Sequence, residues 1–250
     1  MSKVHISLTA EKITEIFSFP ITNSLLTTFL VMLFLIVISL LVSNKISLIP
    51  GKLQLIFEML VGGIYDLFES VMGEKVKIFF PLLGTLFIFI IFLNWFGLLP
   101  GVGTIGFYEI EEGHEVAEKV FVPLFRAGSA DLNTTLALAL ISVVSIQISG
   151  IKTLGKEYIG RFFNFKNPIY FFVVILELIS EFSKIISFAF RLFGNIFAGE
   201  VLLTVIAFLI PVIAPLPFLG LELFVGFIQA LVFSMLTSVF LSLATTKSEH

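Results

Sequence analysis

Long apolar stretches are the feature that most constrains how this 250-residue chain can fold. Hydrophobic residues make up 58% of the chain and charged residues only 13%, whereas about a quarter of the residues of a soluble domain are charged. A bilayer core of about 30 Å is crossed by roughly 20 helical residues. The length and composition of the stretches therefore predict an all-α integral membrane protein.

Five segments are apolar and long enough to predict membrane-spanning helices. They comprise residues 23–43, 78–99, 132–151, 168–210 and 218–244. The fourth is about twice as long as a simple span and carries charges in its first half. Asp131 or Ser129 is expected to cap the third, because either side chain offers an acceptor to the first free amides. We expect one membrane domain over 1–250, with the last two helices long and arranged as a hairpin.

Residues 52–72 follow a different pattern. Apolar residues recur there at three- and four-residue steps, while Glu58, Asp66 and Glu69 fall between them. This period is typical of an amphipathic helix. We expect it at the membrane surface or against a neighbouring helix rather than across the bilayer.

Lysine and arginine in the short loops predict the orientation of the spans. The loops after the first and third spans are basic (Lys45, Lys52, Lys75, Lys77; Lys152, Lys156, Arg161, Lys166). The loop after the second is acidic (Glu109, Glu111, Glu112, Glu115 and Glu118, against Lys119 and Arg126). The basic loops and the C-terminus are therefore expected in the cytoplasm, and the acidic loop and the N-terminus outside.

Arg191 is the most costly residue of the apolar segments. An arginine at the centre of a membrane helix costs about 2.5–3.5 kcal/mol on insertion scales, and its guanidinium stays charged at any working pH. Glu177, Lys184 and Arg191 are seven residues apart and share one helix face, with Asn195 one turn further. Glu200 follows Arg191 by nine residues and points the opposite way, so the two are not expected to pair.

The fifth segment adds Glu222 and Gln229, which also share a face. If the last two helices pack as a hairpin, the polar residues of both can line one buried path. Arg191 then faces another way, toward a group that supplies a negative charge. Each polar residue also has a structural alternative. These are a surface network for Glu177, Glu181 and Lys184, an interhelical bond for Asn195, capping for Asp131 and Asn133, a buried pair for Glu200 and Glu222, and a salt bridge from Arg191 to Glu177 or Glu181.

Several classes of protein are excluded or left without support. The chain has no cysteine, which rules out disulfides, thiolate metal sites and thiol catalysis. His5, His114 and His250 lie in polar or terminal segments without metal-ligand spacing, so no metal site is expected. The net charge of −3 does not suggest a nucleic-acid partner.

Two competing functions stay open on the residues alone. A stand-alone channel or secondary transporter would explain the buried charges, but the chain shows no internal repeat of the kind many transporters have. A purely structural membrane subunit would leave Arg191 unexplained.

The string RLFGNIFAGE at Arg191–Glu200 resembles the signature of subunit a of the bacterial F-type ATP synthases. The following GLELFVGFIQALVFSMLTSVFLSLA, FLNWFGLLPG at 92–101 and SADLNTTLALAL at 129–140 resemble the same family. The resemblance covers the chain from about Leu48 onward. It implies a proton-translocating stator subunit that forms two half-channels, couples ion flow to ring rotation and ATP synthesis, has no catalytic activity alone and needs no cofactor. It also implies that the last two helices form a hairpin that is strongly tilted along the ring.

The resemblance also implies roles for individual residues. Arg191 would face a rotating ring of c subunits, with Asn195 and Gln229 close to it. Glu200 would be the acidic residue of the outer half-channel, and Glu222 occupies a position taken by histidine or glutamate in bacterial members. The polar positions of the two entrances are matched by Glu177 and Lys184 on the cytoplasmic side and by Asp131 and Asn133 on the outer side.

The partners implied are the c ring, the b subunits, the rest of the F1Fo complex and the lipid bilayer of the plasma membrane. The choice between H⁺ and Na⁺, the ring size and the physiological direction stay open. Ion selection in particular lies largely with the c subunit.

Overall fold

Helices dominate the computed structural model, which describes residues 7, 9–16, 19–43, 50–111, 118–162, 168–211 and 213–246. The helices of these ranges are α1 (Asn23–Ser43), α2 (Lys52–Met72), α3 (Val76–Phe96), α4 (Leu132–Leu154), α5 (Lys156–Phe162), α6 (Pro168–Leu209) and α7 (Pro215–Ala244). Single 3₁₀ turns, Gly73–Lys75 and Gly128–Ala130, precede α3 and α4. Two antiparallel hairpins are formed by β1 (Lys12–Ile16) with β2 (Phe19–Thr22) and by β3 (Gly106–Glu111) with β4 (Glu118–Pro123).

Five helical stretches are long and apolar enough to cross a membrane. The first is α1, and the second is the stretch Gln54–Phe96, which contains most of α2 and all of α3. The other three are α4, the stretch Tyr170–Leu209 of α6, and α7. Helix α6 has 42 residues, which at 1.5 Å per residue makes it roughly 63 Å long, about twice the thickness of the hydrocarbon core. The expected class, an all-α membrane protein with long last helices, is confirmed.

The second hairpin and helix α5 lie in segments that were expected to be loops, and the first hairpin lies in the N-terminal segment, for which no element was predicted. In the second hairpin Tyr108 pairs with Phe121, and their rings meet edge to face with centroids 5.5 Å apart. Strands of aromatic and β-branched residues favour such pairs. Charged residues stand within both strands, GFYEIE and EKVFVP, so the pattern of these segments resembles that of a polar loop.

One compact unit of the chain comprises Met1–Lys45, Ile88–Thr135 and Leu192–Ala230. Buried apolar side chains such as Ile90, Leu93 and Leu192 form its core. Asn94 is buried in this core; its Nδ2 donates to the Gly226 carbonyl at 2.9 Å, and its Oδ1 accepts from Ser129 Oγ at 2.6 Å. The first bond holds the part of α7 that lies between Glu222 and Gln229, and the second holds the turn before α4.

The 3₁₀ turn before α4 packs closely within the same unit. A Cβ atom added to Gly128 would overlap the side chains of Leu93 and Thr28, so only glycine permits this approach. Ser129 is engaged with Asn94, and Asp131 is the residue that caps α4. Its Oδ1 accepts from the backbone amide of Asn133 at 3.3 Å.

The second unit comprises Ile46–Phe87, Leu136–Arg191 and Leu231–His250. The Phe188 ring contacts those of Phe233 and Phe240, with centroids 5.0 and 5.9 Å away. Lys75 Nζ donates to the Thr245 carbonyl at 3.1 Å, which ties the start of α3 to the end of α7. Aromatic contacts and this lysine hydrogen bond therefore hold α3, α6 and α7 together within the unit.

Helix α2 packs against its neighbour through its C-terminal half. The Phe68 side chain is buried, and the rings of Tyr65 and Phe68 meet that of Phe80 in α3 at 5.1 and 6.5 Å. The N-terminal half instead exposes Ile56 and Met59. The amphipathic pattern therefore produces a helix that contacts another helix along only part of its length.

Candidate functional site

Arg191 lies on the exposed side of α6. Its Nη2 donates to Ser187 Oγ, one turn earlier, at 3.2 Å. The ion pairs among the described residues join Lys12 to Glu15, Arg126 to Glu200 and Lys184 to Glu181. The structural alternative of a salt bridge from Arg191 to Glu177 or Glu181 is therefore not formed there.

A group of four polar side chains in the second unit, here called the Glu181 cluster, comprises Gln147, Tyr158, Glu181 and Lys184. Glu181 Oε1 accepts from Lys184 Nζ at 2.6 Å, and its Oε2 accepts from Gln147 Nε2 at 2.7 Å. Tyr158 donates its hydroxyl to Gln147 Oε1 at 2.8 Å. The expected i,i+3 pair of Glu181 and Lys184 exists, but it is part of a partly buried network that joins three helices.

Glu177 stands apart from the Glu181 cluster. It is half-buried and lies one turn before Glu181 on α6. Within the described part of the chain it takes part in no ion pair. The described hydrogen bonds and ion pairs therefore leave Glu177 outside the network that holds Glu181.

The sequence analysis did not select Gln147 or Tyr158. Gln147 is a polar residue inside the apolar run SVVSIQISGI, and that isolation was a usable signal. Tyr158 could not be selected from the sequence, because its partner Gln147 lies in another helix and α5 was not expected.

Asn195 and Gln229 join α6 to α7 in the first unit. Asn195 Nδ2 donates to Gln229 Oε1 at 2.7 Å. Gln229 is only 4% exposed, and its Nε2 has no hydrogen-bond partner among the described residues. A buried donor left unpaired costs about 1–3 kcal/mol. This position therefore favours the approach of a polar acceptor.

Glu222 is 7% exposed, and its carboxylate lies directly against the backbone of Gly199. A Cβ atom at position 199 would overlap both carboxylate oxygens and the carbon between them. The carboxylate therefore occupies the space that a side chain at position 199 would take. Gly199 directly precedes Glu200 in α6.

The partner of Glu200 is Arg126. Arg126 Nε lies 3.1 Å from each carboxylate oxygen of Glu200. The arginine side chain is 6% exposed and that of Glu200 is 37% exposed. The described hydrogen bonds of this carboxylate thus go to Arg126 rather than to Glu222, which was the structural alternative.

Arg126 is the main residue that the sequence analysis missed. It was counted only as a charge of the acidic loop. It stands, however, as a single cation after the apolar string VFVPLF and before small residues. The argument applied to Arg191, that an isolated charge in apolar surroundings needs a partner, would have selected it.

Asp131 and Asn133 make the contacts of a helix start. Asp131 is 7% exposed, and its carboxylate accepts from the Asn133 amide and side chain and, at 3.3 Å, from Thr134 Oγ1. Asn133 is exposed. The three histidines, for which no ligand role was expected, lie outside the described residues.

Comparison with known proteins gives one family. A family model described as the ATP synthase A chain matches residues 25–242. ATP synthase subunit a of Geotalea daltonii is 35% identical over 86% of this chain and 83% of its own length. Subunit a of Syntrophobacter fumaroxidans is 34% identical over 85% and 80%, and that of Gloeobacter violaceus is 37% identical over 86% and 80%.

Proposed function

This chain belongs to the ATP synthase A chain family, and on that premise we propose that its polar residues form two proton half-channels against a ring of c subunits, with Arg191 between them. The chain is the proton-translocating membrane subunit of the Fo sector, a multi-pass protein that has no catalytic activity alone. Membership of this family excludes the two alternative functions, a stand-alone transporter and a purely structural subunit, as explanations of the buried charges.

The exposed position of Arg191 is the observation that carries the proposal. Its guanidinium is bound to Ser187 and takes part in none of the described ion pairs. Gly194 and Ala198 are exposed on the same helix, and small residues let another membrane helix approach closely. The counter-charge we propose is a carboxylate on a c-subunit helix that passes this face.

The outer half-channel is assigned to the first unit. Glu200 and Glu222 would relay protons there, and Asp131 with Asn133 would mark the entrance. Ionisable side chains inside membrane segments commonly mark such paths. The unpaired Nε2 of Gln229 supports a polar passage, because an acceptor arriving there would satisfy a buried donor. Asn195 would hold Gln229 in place.

The cytoplasmic half-channel is assigned to the second unit. Glu177 would accept the proton released from the ring, since it is half-buried and outside the described ion pairs. Lys184 is bound to Glu181 and lies 4.7 Å from the centre of the Phe240 ring. It would keep the Glu181 cluster neutral overall and leave Glu177 to exchange protons.

The mechanism uses the fixed charge of Arg191. A c-subunit carboxylate that takes up a proton from the outer path becomes neutral and can move into lipid. Near Arg191 its ionised form is favoured by the opposite charge, which promotes release to the cytoplasmic path. The same charge repels a proton that would pass directly between the paths. Each charge that crosses gains about 2.3 kcal/mol per 100 mV.

The proposed surroundings follow from the same family. The subunit would contact the c ring and the b subunits within the F1Fo complex in the plasma membrane. Its N-terminus would lie outside and its C-terminus in the cytoplasm, as the loop charges indicate. Some of those charges, among them Lys45, Lys166 and Glu115, lie outside the described residues.

Arg191→Ala tests the proposal. In membrane vesicles that contain the whole complex, this variant should lose proton-driven ATP synthesis while the amount of assembled complex stays normal. Ser187→Ala is the matched control, because it removes only the hydroxyl that accepts from Arg191, and it should retain most of the synthesis. Normal coupled synthesis in Arg191→Ala would refute the proposed role.

A further inference from the structure

Arg126 uses all three nitrogen atoms of its guanidinium group. Nε binds the Glu200 carboxylate, Nη1 donates to the Thr9 carbonyl at 3.0 Å and Nη2 donates to the Ser7 carbonyl at 2.9 Å. The guanidinium carbon also lies 5.7 Å from the centre of the Phe197 ring. One buried cation therefore joins the segment before β1 to helix α6.

The backbone of Arg126 is held as well. Its amide donates to Thr27 Oγ1 in α1 at 3.4 Å. Thr27 is fully buried and is itself bonded to the Asn23 carbonyl. Both the backbone and the guanidinium of Arg126 are therefore held by hydrogen bonds. The Glu200 carboxylate is bound to a side chain whose position is fixed at both ends.

The difference in exposure shows which partner is presented outward. Arg126 is 6% exposed whereas Glu200 is 37% exposed. The arginine is enclosed, and each of its three nitrogen atoms is bonded to an acceptor, while the carboxylate keeps an exposed side. An arrangement of this kind suits a carboxylate that must meet a proton carrier in one orientation, because the enclosed partner sets its direction and the open side stays accessible.

We propose that Arg126 is a positioning residue of the outer half-channel, which orients the Glu200 carboxylate and fastens the N-terminal segment at Ser7 and Thr9 to the same guanidinium. This inference rests on the proposed role of Glu200 in the outer path. It makes Ser7 and Thr9 part of the structure that supports that path, although they contribute only backbone carbonyls to Arg126.

Arginine is required here for its geometry. Its planar group offers five donors in a fixed fork and stays charged, whereas the lysine ammonium is a compact point charge. A lysine at position 126 keeps the charge near Glu200 but cannot span acceptors on two separate segments. Arg126→Lys should therefore give an intermediate effect, and Arg126→Gln the full one.

The test uses the full complex in membrane vesicles and two readouts. The first is the proton flux per assembled complex, which should fall roughly tenfold or more in Arg126→Gln, since a misplacement of about 1 Å in a reacting group can cost that much. The second is maleimide labelling of Ala10→Cys. The chain has no cysteine of its own and Ala10 is half-buried, so faster labelling in the Arg126→Gln background reports release of the N-terminal segment.

Lys12→Gln is the matched control. It breaks the ion pair with Glu15, whose two side chains are 53% and 54% exposed, and should leave both readouts unchanged. Glu200→Gln separates the two levels of the argument. If Glu200→Gln lowers flux and Arg126→Gln does not, only the inference fails; if Glu200→Gln leaves flux normal, the proposed role of Glu200 fails first.

A structural role alone would give a different result. Arg126→Gln would then reduce the amount of assembled complex, and the flux per assembled complex and the labelling rate would stay at the wild-type level. That outcome would overturn the proposal, and so would an Arg126→Lys variant indistinguishable from Arg126→Gln in both readouts.

Discussion

Replacing Gly199 by alanine should displace the Glu222 carboxylate without weakening helix α6. The new methyl group would overlap both oxygens and the carboxyl carbon of Glu222. Carbon atoms in contact lie about 3.5–4.0 Å apart, so the carboxylate must retreat by roughly 1 Å or more. The three atoms nearest to the added methyl group all belong to the end of a flexible side chain, so we expect that side chain to move and the backbone to stay in place.

The effects on folding and on function should have opposite signs. Alanine is about 0.8–1.0 kcal/mol more favourable than glycine inside a helix, which offsets the cost of moving one side chain. A reacting group moved by about 1 Å can lose on the order of 100-fold in rate. We therefore expect normal assembly together with a proton flux reduced by about one to two orders of magnitude.

The assay is proton flux through vesicles that contain the whole complex, divided by the amount of subunit assembled. Gly220→Ala is the matched control, because an added Cβ at this α7 glycine meets no atom within 4 Å. The double variant Gly199→Ala/Glu222→Asp should recover part of the flux, since the shorter side chain leaves room for the methyl group. Normal flux in Gly199→Ala, or a loss that only follows poor assembly, would refute the reasoning.

Two further predictions concern packing and the Glu181 cluster. Gly128→Ala should destabilise the subunit by about 1–3 kcal/mol, as overpacked core substitutions do, because the added Cβ overlaps Leu93 and Thr28. Thermal unfolding in detergent measures the change in stability, and Gly62→Ala is the control, because an added Cβ there meets no atom within 4 Å. Equal stability of the two variants would contradict the prediction. Tyr158→Phe should cost about 0.5–1.5 kcal/mol for the lost hydrogen bond and leave most of the proton flux; complete loss of flux in assembled complex would place this hydroxyl in the path.

The outward direction of Arg191 could be inferred from the sequence because it depends on local helix geometry. A period of 3.6 residues separates the faces of Arg191 and Glu200, and the structure shows Arg191 exposed and Glu200 paired elsewhere. The approximate positions of the apolar helices could also be predicted from the sequence. Each residue contributes separately to the cost of burial in hydrocarbon, so the composition of a segment is sufficient. Asp131 as a cap was one of two local candidates.

The partners of the polar residues could not be inferred in the same way. Arg126 and Glu200 are 74 residues apart, and Gln147 and Glu181 are 34 apart. No periodic pattern relates such positions, because the packing of α6 against the segment before α4 and against α4 itself decides which side chains meet. The strands β3 and β4 were also missed, since their pairing depends on a register between two short segments.

The sequence by itself determined that the chain is a helical membrane protein with one costly arginine turned away from its own acidic neighbour, and its motifs identified the family. Only the tertiary structure decided that Glu200 is bound to Arg126 and that Glu222 occupies the space left by Gly199. The physical reason is that burial and period act along one helix, whereas a hydrogen bond or a close approach requires two distant segments to be packed at a distance of a few ångströms.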